Sequence, residues 1–241
     1  MPRSNVLKSL FALVFLFING PAYAVDANCL APDKHEAVTY LLIDRSDELK
    51  DVDNLKQSLV VLKKMLSNGE RLIVGVSTGK ASETRVLMDM VLPKKSLWVS
   101  KLKIRAGEKK FDDCFKKIEE EVLVQNEKHS SSALLETLRV VSKALESDSS
   151  KTKRVIVYSD MVQNSASISF YKSKVVDPEK ILKQVEKEFL LATFSNTDFH
   201  VAGVGTGVSD KKARSIEQFW RKYIEKSGGN LRFYGPVLFA S

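Results

Sequence analysis

The sequence predicts an α/β domain of three layers, with helices on both faces of a central, mainly parallel sheet. Three features carry that prediction. Short apolar runs rich in branched residues recur along the chain, as in LIVGVS and RVIVYS, and such runs suit strands buried on both faces. Between them lie longer stretches with apolar residues at helical spacing. No internal repeat, low-complexity tract or linker divides the chain, so the alternation belongs to one domain.

Taken in order, Val38–Asp44 is the first strand. Asp51 and Asp53 are placed to cap a helix carrying Leu55, Leu59, Leu62 and Leu66, which ends at Asn68-Gly69. Leu72–Ser77 is a second strand and Thr84–Val91 an edge strand, followed by an irregular or hairpin-like stretch, Pro93–Gly107. Phe111, Phe115, Ile118 and Val122 share one helical face in Phe111–Gln125. Leu134, Leu138, Val141 and Leu145 form the stripe of a helix over Ala133–Glu146. Arg154–Ser159 is a strand stopped by Asp160, and Ser167–Tyr171 reads as extended. A helix over Pro178–Leu191, a strand over Phe199–Gly205, a helix over Lys211–Lys226 closed by Gly228-Gly229, and a strand over Leu231–Tyr234 complete the chain.

The first 24 residues have another purpose. Arg3 and Lys8 precede an unbroken apolar run, Leu10–Ile18, and Ala22 and Ala24 follow in small-x-small order. That is the layout of a secretory signal peptide cleaved after Ala24. The run is well short of the ~20 residues that span a bilayer, and no other stretch is apolar enough to do so. About 217 residues remain, ample for one α/β domain with a sizeable core. They divide into a tail, residues 25–35, and the domain itself, residues 36–241. Export places the protein in the periplasm of a Gram-negative bacterium or outside a secreting cell.

Lysine and arginine number 38 against 30 acidic residues, a net charge of +8. The excess is modest and spread along the chain, which is the pattern of a solvated surface. No RNA-binding, zinc-finger or helix-turn-helix signature is present, so a nucleic-acid partner is not expected. Cys29 and Cys114 are the only cysteines. In an exported protein two cysteines most simply form one disulfide, whereas metal-ligating thiolates would want further Cys or His nearby.

In a parallel sheet, ligands bind beyond the carboxyl ends of the strands. The loops expected there are Asp44–Glu48, Ser77–Lys80, Asp160–Asn164 and Gly205–Asp210. Asp44 and Ser46 are two apart on an extended turn, so both side chains can meet one point. A hard cation such as Mg²⁺ takes oxygen ligands of this kind. The stretches IDRSDE, SSALLETL and VIVYSDMVQNS resemble the three loops of a von Willebrand factor type A (vWA) domain. The resemblance runs in order from about Glu36 to Tyr234. It implies a Rossmann-like three-layer fold and a metal-ion-dependent adhesion site built from Asp-x-Ser-x-Ser, a later Thr and a later Asp. By position it assigns Asp44, Ser46, Ser132 and Asp160 to a Mg²⁺ ion, with Ser130 and Ser131 competing for the place of Ser132. It also implies that a protein partner binds there, often through a carboxylate, and that the domain is not an enzyme. Two positions depart from the family pattern. Glu48 stands where the second Ser belongs, either as an extra ligand or as a cap for the first helix, and Met161 replaces the glycine that usually follows the last Asp. The same polar residues also suit an ordinary strand-to-helix turn, in a metal-free scaffold of the same fold.

Two further patterns point elsewhere. Gly75–Gly79, GVSTG, fits the nucleophile elbow of a serine hydrolase, with Ser77, Asp160 and His200 in α/β-hydrolase order. His200, however, lies near the start of its strand, the wrong end to meet Asp160. GVGTGVSD follows a late strand and lacks an acidic residue for a ribose, so a turn needing glycine explains it better than nucleotide binding. His35 and His129 read as surface or capping residues. Phe219, Trp220 and Tyr223 read as core, and Phe170-Tyr171 as a possible partner contact.

Overall fold

The computed structural model describes residues 27–31, 34–46, 51–124, 131–205 and 207–239. Residues 1–24, read above as a signal peptide, and Glu48, His129 and Ser130 lie outside the described residues.

Among the described residues, seven strands form one sheet in the order β1-β4-β3-β2-β5-β6-β7. They are β1 (Leu30–Ala31), β2 (Ala37–Asp44), β3 (Glu70–Ser77), β4 (Arg85–Val91), β5 (Thr152–Tyr158), β6 (Thr197–Ala202) and β7 (Gly229–Tyr234). The run from β3 to β7 through β2, β5 and β6 is parallel. β4 runs antiparallel to β3, and β1 pairs in parallel with β4. The stretch read as a tail therefore supplies an edge strand, and β4 lies one place in from the edge.

Side chains alternate across the sheet, as the two-residue strand period requires. Val38, Tyr40 and Leu42 of β2 face one core with α3 (Leu134–Glu146), α4 (Pro178–Lys187) and α5 (Asp210–Lys226). Leu41 and Ile43 face the other core with α1 (Val52–Met65) and α2 (Lys101–Val124). The first core holds an aromatic cluster in which Trp220 meets Phe219 and Tyr223 at 5.0 and 5.3 Å between ring centroids. Phe170 belongs to it as well, buried against Phe219 at 5.2 Å. Of the expected contact pair, only Tyr171 is exposed.

Local chemistry sets the helix starts. The Asp51 carboxylate accepts from the Asn54 N–H at 3.0 Å to cap α1. Asp177 does the same for α4 through the Lys180 N–H, with Pro178 at the first turn. α2 begins well before the expected Phe111. Its first turn includes Lys103, whose N–H points to Ser100 Oγ at 3.3 Å, and Gly107 sits inside it. A Cβ at Gly107 would lie 2.7 Å from Pro93 Cγ. The glycine thus marks a close approach of helix to loop, not a break. Ser167–Tyr171 forms no strand; among the described residues its only ladder contact is an isolated bridge between Asn164 and Ser169. The Cys29–Cys114 disulfide ties the turn before β1 to α2.

Candidate functional site at the carboxyl ends of the strands

The chain leaves β2 to one side, through α1 to β3, and leaves β5 to the other, through α4 to β6. The gap between β2 and β5 is therefore the point where strand order reverses, the usual place for a ligand in an open α/β sheet. Asp44 is the last residue of β2 at that point.

Asp44 is 9% exposed, and its carboxylate is held from three directions. Oδ1 accepts the Ser46 N–H at 3.0 Å. Oδ2 accepts the Ser132 hydroxyl at 3.1 Å and the Ser159 hydroxyl at 2.9 Å. Three separate loops thus meet on one carboxylate. Buried charge is costly unless hydrogen-bonded in this way.

Each contributor is fixed in turn. Ser132 exchanges backbone hydrogen bonds with Asn164, at 2.8 and 2.7 Å, while the Ala133 N–H donates to Gly79 O at 3.1 Å. Gln163, fully buried, accepts the Leu135 N–H at 3.0 Å and donates to Glu136 at 3.1 Å. It thereby caps α3 from the β5 loop. Ser159 Oγ also accepts the Met161 N–H at 2.9 Å. Met161 adopts φ 61, the left-handed region where glycine is favoured. The Met161 side chain is buried, and its carbonyl accepts the Trp220 indole N–H at 2.8 Å. Burial and this bond hold a backbone shape that the family pattern meets with glycine. Ser159 was not anticipated: serine is common at strand ends, and only the fold aims its hydroxyl at Asp44.

Arg45 is buried beside the site and donates to the carbonyl of Val122, near the end of α2. Burial depresses its pKa, and the helix C-terminus is a favourable place for the cation.

Asp44, Ser46 and Ser132 are thus brought together, and Ser131 adjoins them in sequence. Asp160, next to Ser159, is half-buried on the same rim and accepts the Val162 N–H at 2.9 Å. It lines an adjoining groove of about 530 Å³ with Asp51, Asn54, Arg214, Glu217 and Tyr234. Burial, then the charges of Glu217 and Asp160, push the Tyr234 phenol well above its ordinary pKa.

Among the described residues, no three His, Cys, Asp or Glu side chains gather as a metal cluster. The donors here are one buried carboxylate and hydroxyls. That set suits a hard cation that takes one or two carboxylates and keeps several waters. Asp44, Ser46 and Ser132 are the residues that would hold it.

No protein-family profile matches the chain, and no curated protein matches it in sequence. Solved structures do. The chain resembles vWA-type structures in fold. A von Willebrand factor type A protein from Catenulispora acidiphila is similar at 13% identity and a TM-score of 0.42, over 83% of this chain and 39% of that one. The conserved hypothetical protein BatB from Bacteroides thetaiotaomicron is similar at 13% identity and 0.43, over 83% and 91%. The pilus adhesin SpaC from Lactobacillus rhamnosus GG is similar at 11% identity and 0.49, over 83% and 28%. At identities of 11–13% and TM-scores below 0.5, they say nothing of this chain's role.

The hydrolase constellation does not assemble. Ser77 is buried at the end of β3, and its hydroxyl lies 3.3 Å from that of Thr137. His200 is on β6, three strand spacings away, or about 14 Å. Gly75 has a packing reason: a Cβ there would lie 2.4 Å from the Tyr40 hydroxyl. The glycine-rich stretch after β6 is a turn, with Gly203 and Gly205 at φ 86 and 94. His35 is not a free surface residue, since its Nε2 lies 2.7 Å from Asp148.

Proposed function

We propose that the chain is an exported protein-binding domain whose partner docks at the Asp44 rim. A Mg²⁺ ion held by Asp44, Ser46 and Ser132, with Asp160 beside them, would supply attraction for a carboxylate of the partner. One observation carries this reading: the Ser132 and Ser159 hydroxyls, from different loops, converge on the buried Asp44 Oδ2 where strand order reverses. Ser159 and Ser132 orient the carboxylate, Trp220 anchors the loop through Met161, and the groove past Asp160 gives a partner room beside the site. Glu48 is a further candidate ligand. The disulfide supports export and hence the periplasm. No helix among the described residues is long and apolar enough to cross a membrane.

A metal-free scaffold is the second reading. One observation supports it: both Asp44 oxygens already have protein donors. Titration calorimetry with Mg²⁺ and Mn²⁺ separates the two. Saturable heat that is lost in Asp44→Ala supports the cation, and its absence at millimolar metal in a folded sample supports the scaffold. Capture of an envelope partner that Asp44→Ala leaves unchanged rejects docking at this rim under both readings.

A further inference from the structure

The opposite end of the sheet carries a feature that the Asp44 rim does not explain. β4 runs against β3 and the parallel strands beyond it, so the loop after it emerges where those strands begin. The Leu92 N–H donates to Glu70 O at 2.8 Å, at the first residue of β3. The chain then turns through Leu97 and Trp98 into α2. Leu97 is 102% exposed, Trp98 95% and Leu102 80%.

These three side chains project from an ordered turn. The Val99 N–H donates to Ser96 O at 3.1 Å, and the Ile104 N–H donates to Ser100 O at 3.1 Å. Val99 and Ile104 face the other way, lining a cleft with Met90 and Leu92. The segment therefore has an inner apolar face against the domain and an outer apolar face against nothing. Exposed Val60 and Val140, by contrast, stand singly on helices, which is ordinary for a protein surface.

Charge says what covers the outer face. The basic excess, expected to be spread along the chain, is concentrated here: between Pro93 and Lys110 the sequence has Lys94, Lys95, Lys101, Lys103, Arg105, Lys109 and Lys110 against a single acid, Glu108. Lys94 and Lys95 pair with Glu36 and Glu108 at 3.3 and 3.2 Å. Lys101, Lys103 and Arg105 are exposed and have no acidic partner among the described residues. Lys34 and Lys151 border the same end, around an open hollow that also takes in Lys94. The core of a protein–protein patch is depleted in lysine. Tryptophan and leucine ringed by lysine and arginine match the interface of a bilayer, where the indole sits at headgroup level and the cations meet anionic lipid.

We infer that the Leu97–Trp98–Leu102 tip and its basic surround dock this protein on an anionic lipid bilayer surface. The domain then rests on the end of its sheet opposite Asp44 and turns that rim away from the lipid.

The test is sedimentation of the exported protein with vesicles of phosphatidylcholine alone or mixed with phosphatidylglycerol. Tryptophan emission is recorded alongside; Trp220 is fully buried, so a shift on binding reports Trp98. Binding to the mixed vesicles is expected, weaker at high salt, with emission moving to the blue. Leu97→Ser/Trp98→Ser/Leu102→Ser and, separately, Lys101→Gln/Lys103→Gln/Arg105→Gln should each weaken binding by about tenfold or more. All the altered side chains are exposed, so thermal melting should stay at the wild-type value. Should either variant fail to fold, the other decides. Failure of the wild type to pellet with the mixed vesicles at low salt overturns the inference. So does full binding by either folded variant, or unshifted emission on binding.

Discussion

Removing the disulfide should destabilise the domain more than any other single change at its surface or edge. Cys29 and Cys114 are both buried, and they close a loop with a sequence separation of 85 residues. For a loop of that length, chain entropy gives about 15 cal/mol/K, or about 4.6 kcal/mol at 25 °C. The bridge also holds β1 against β4, through the pairing of Leu30 with Asp89, and it secures the middle of α2. In a domain of this size, that loss lowers Tm by roughly 9–18 °C. The assay compares oxidised wild type with Cys29→Ala/Cys114→Ala, and with wild type in reductant, by urea unfolding and thermal melting. Hydrogen exchange at β1 should rise in the variant before the rest of the sheet is affected. A loss below about 1 kcal/mol would refute the reasoning. The expanded unfolded chain would then gain too little freedom for the bridge to matter.

Other outcomes test the site and its support. Ser159→Ala removes a donor to Asp44 and the acceptor of the Met161 N–H, and should cost about 1–3 kcal/mol in urea unfolding. His200 is buried with Nδ1 unpartnered among the described residues, and burial, then Arg154, lowers its pKa below 6.5. Its contribution is complete above about pH 6.5 and is lost as pH falls through the lower folded value, at up to about 1.4 kcal/mol per pH unit. His200→Gln should flatten the stability profile between pH 7 and 5; an unchanged slope would assign the acid sensitivity elsewhere. Burial raises the Asp148 pKa, but hydrogen bonds from Ser150, His35 and Arg71 outweigh it and hold the carboxyl well below 3.8. Asp148→Asn should therefore cost roughly 3 kcal/mol at neutral pH. The stability that the carboxylate contributes is lost as pH falls below about 3.8, so acid titration should bring the two proteins together.

Much of the architecture was legible in the residues because its causes are local. Strand runs, helical stripes and the cap at Asp51 depend on near neighbours. So does the placing of Asp44, Ser46 and Asp160 at strand ends. Two cysteines admit one pairing within the chain, and the structure has it. What failed was decided by contacts between segments distant in sequence. Pro93–Gly107 read as irregular or hairpin-like, yet its second half is the start of α2, where Gly107 passes Pro93. Phe170 read as a surface contact and is packed on Phe219.

The sequence by itself determined that alternating strands and helices would build a parallel α/β sheet with oxygen-rich turns at one end. Periodicity and turn chemistry act over a few residues and survive without a fold. Only the tertiary structure decided that Ser159 joins Ser132 on Asp44, that Met161 takes a left-handed backbone braced by Trp220, and that Trp98 stands in solvent at the far end. Each depends on which strands become neighbours and which faces they cover, and long-range packing alone settles that.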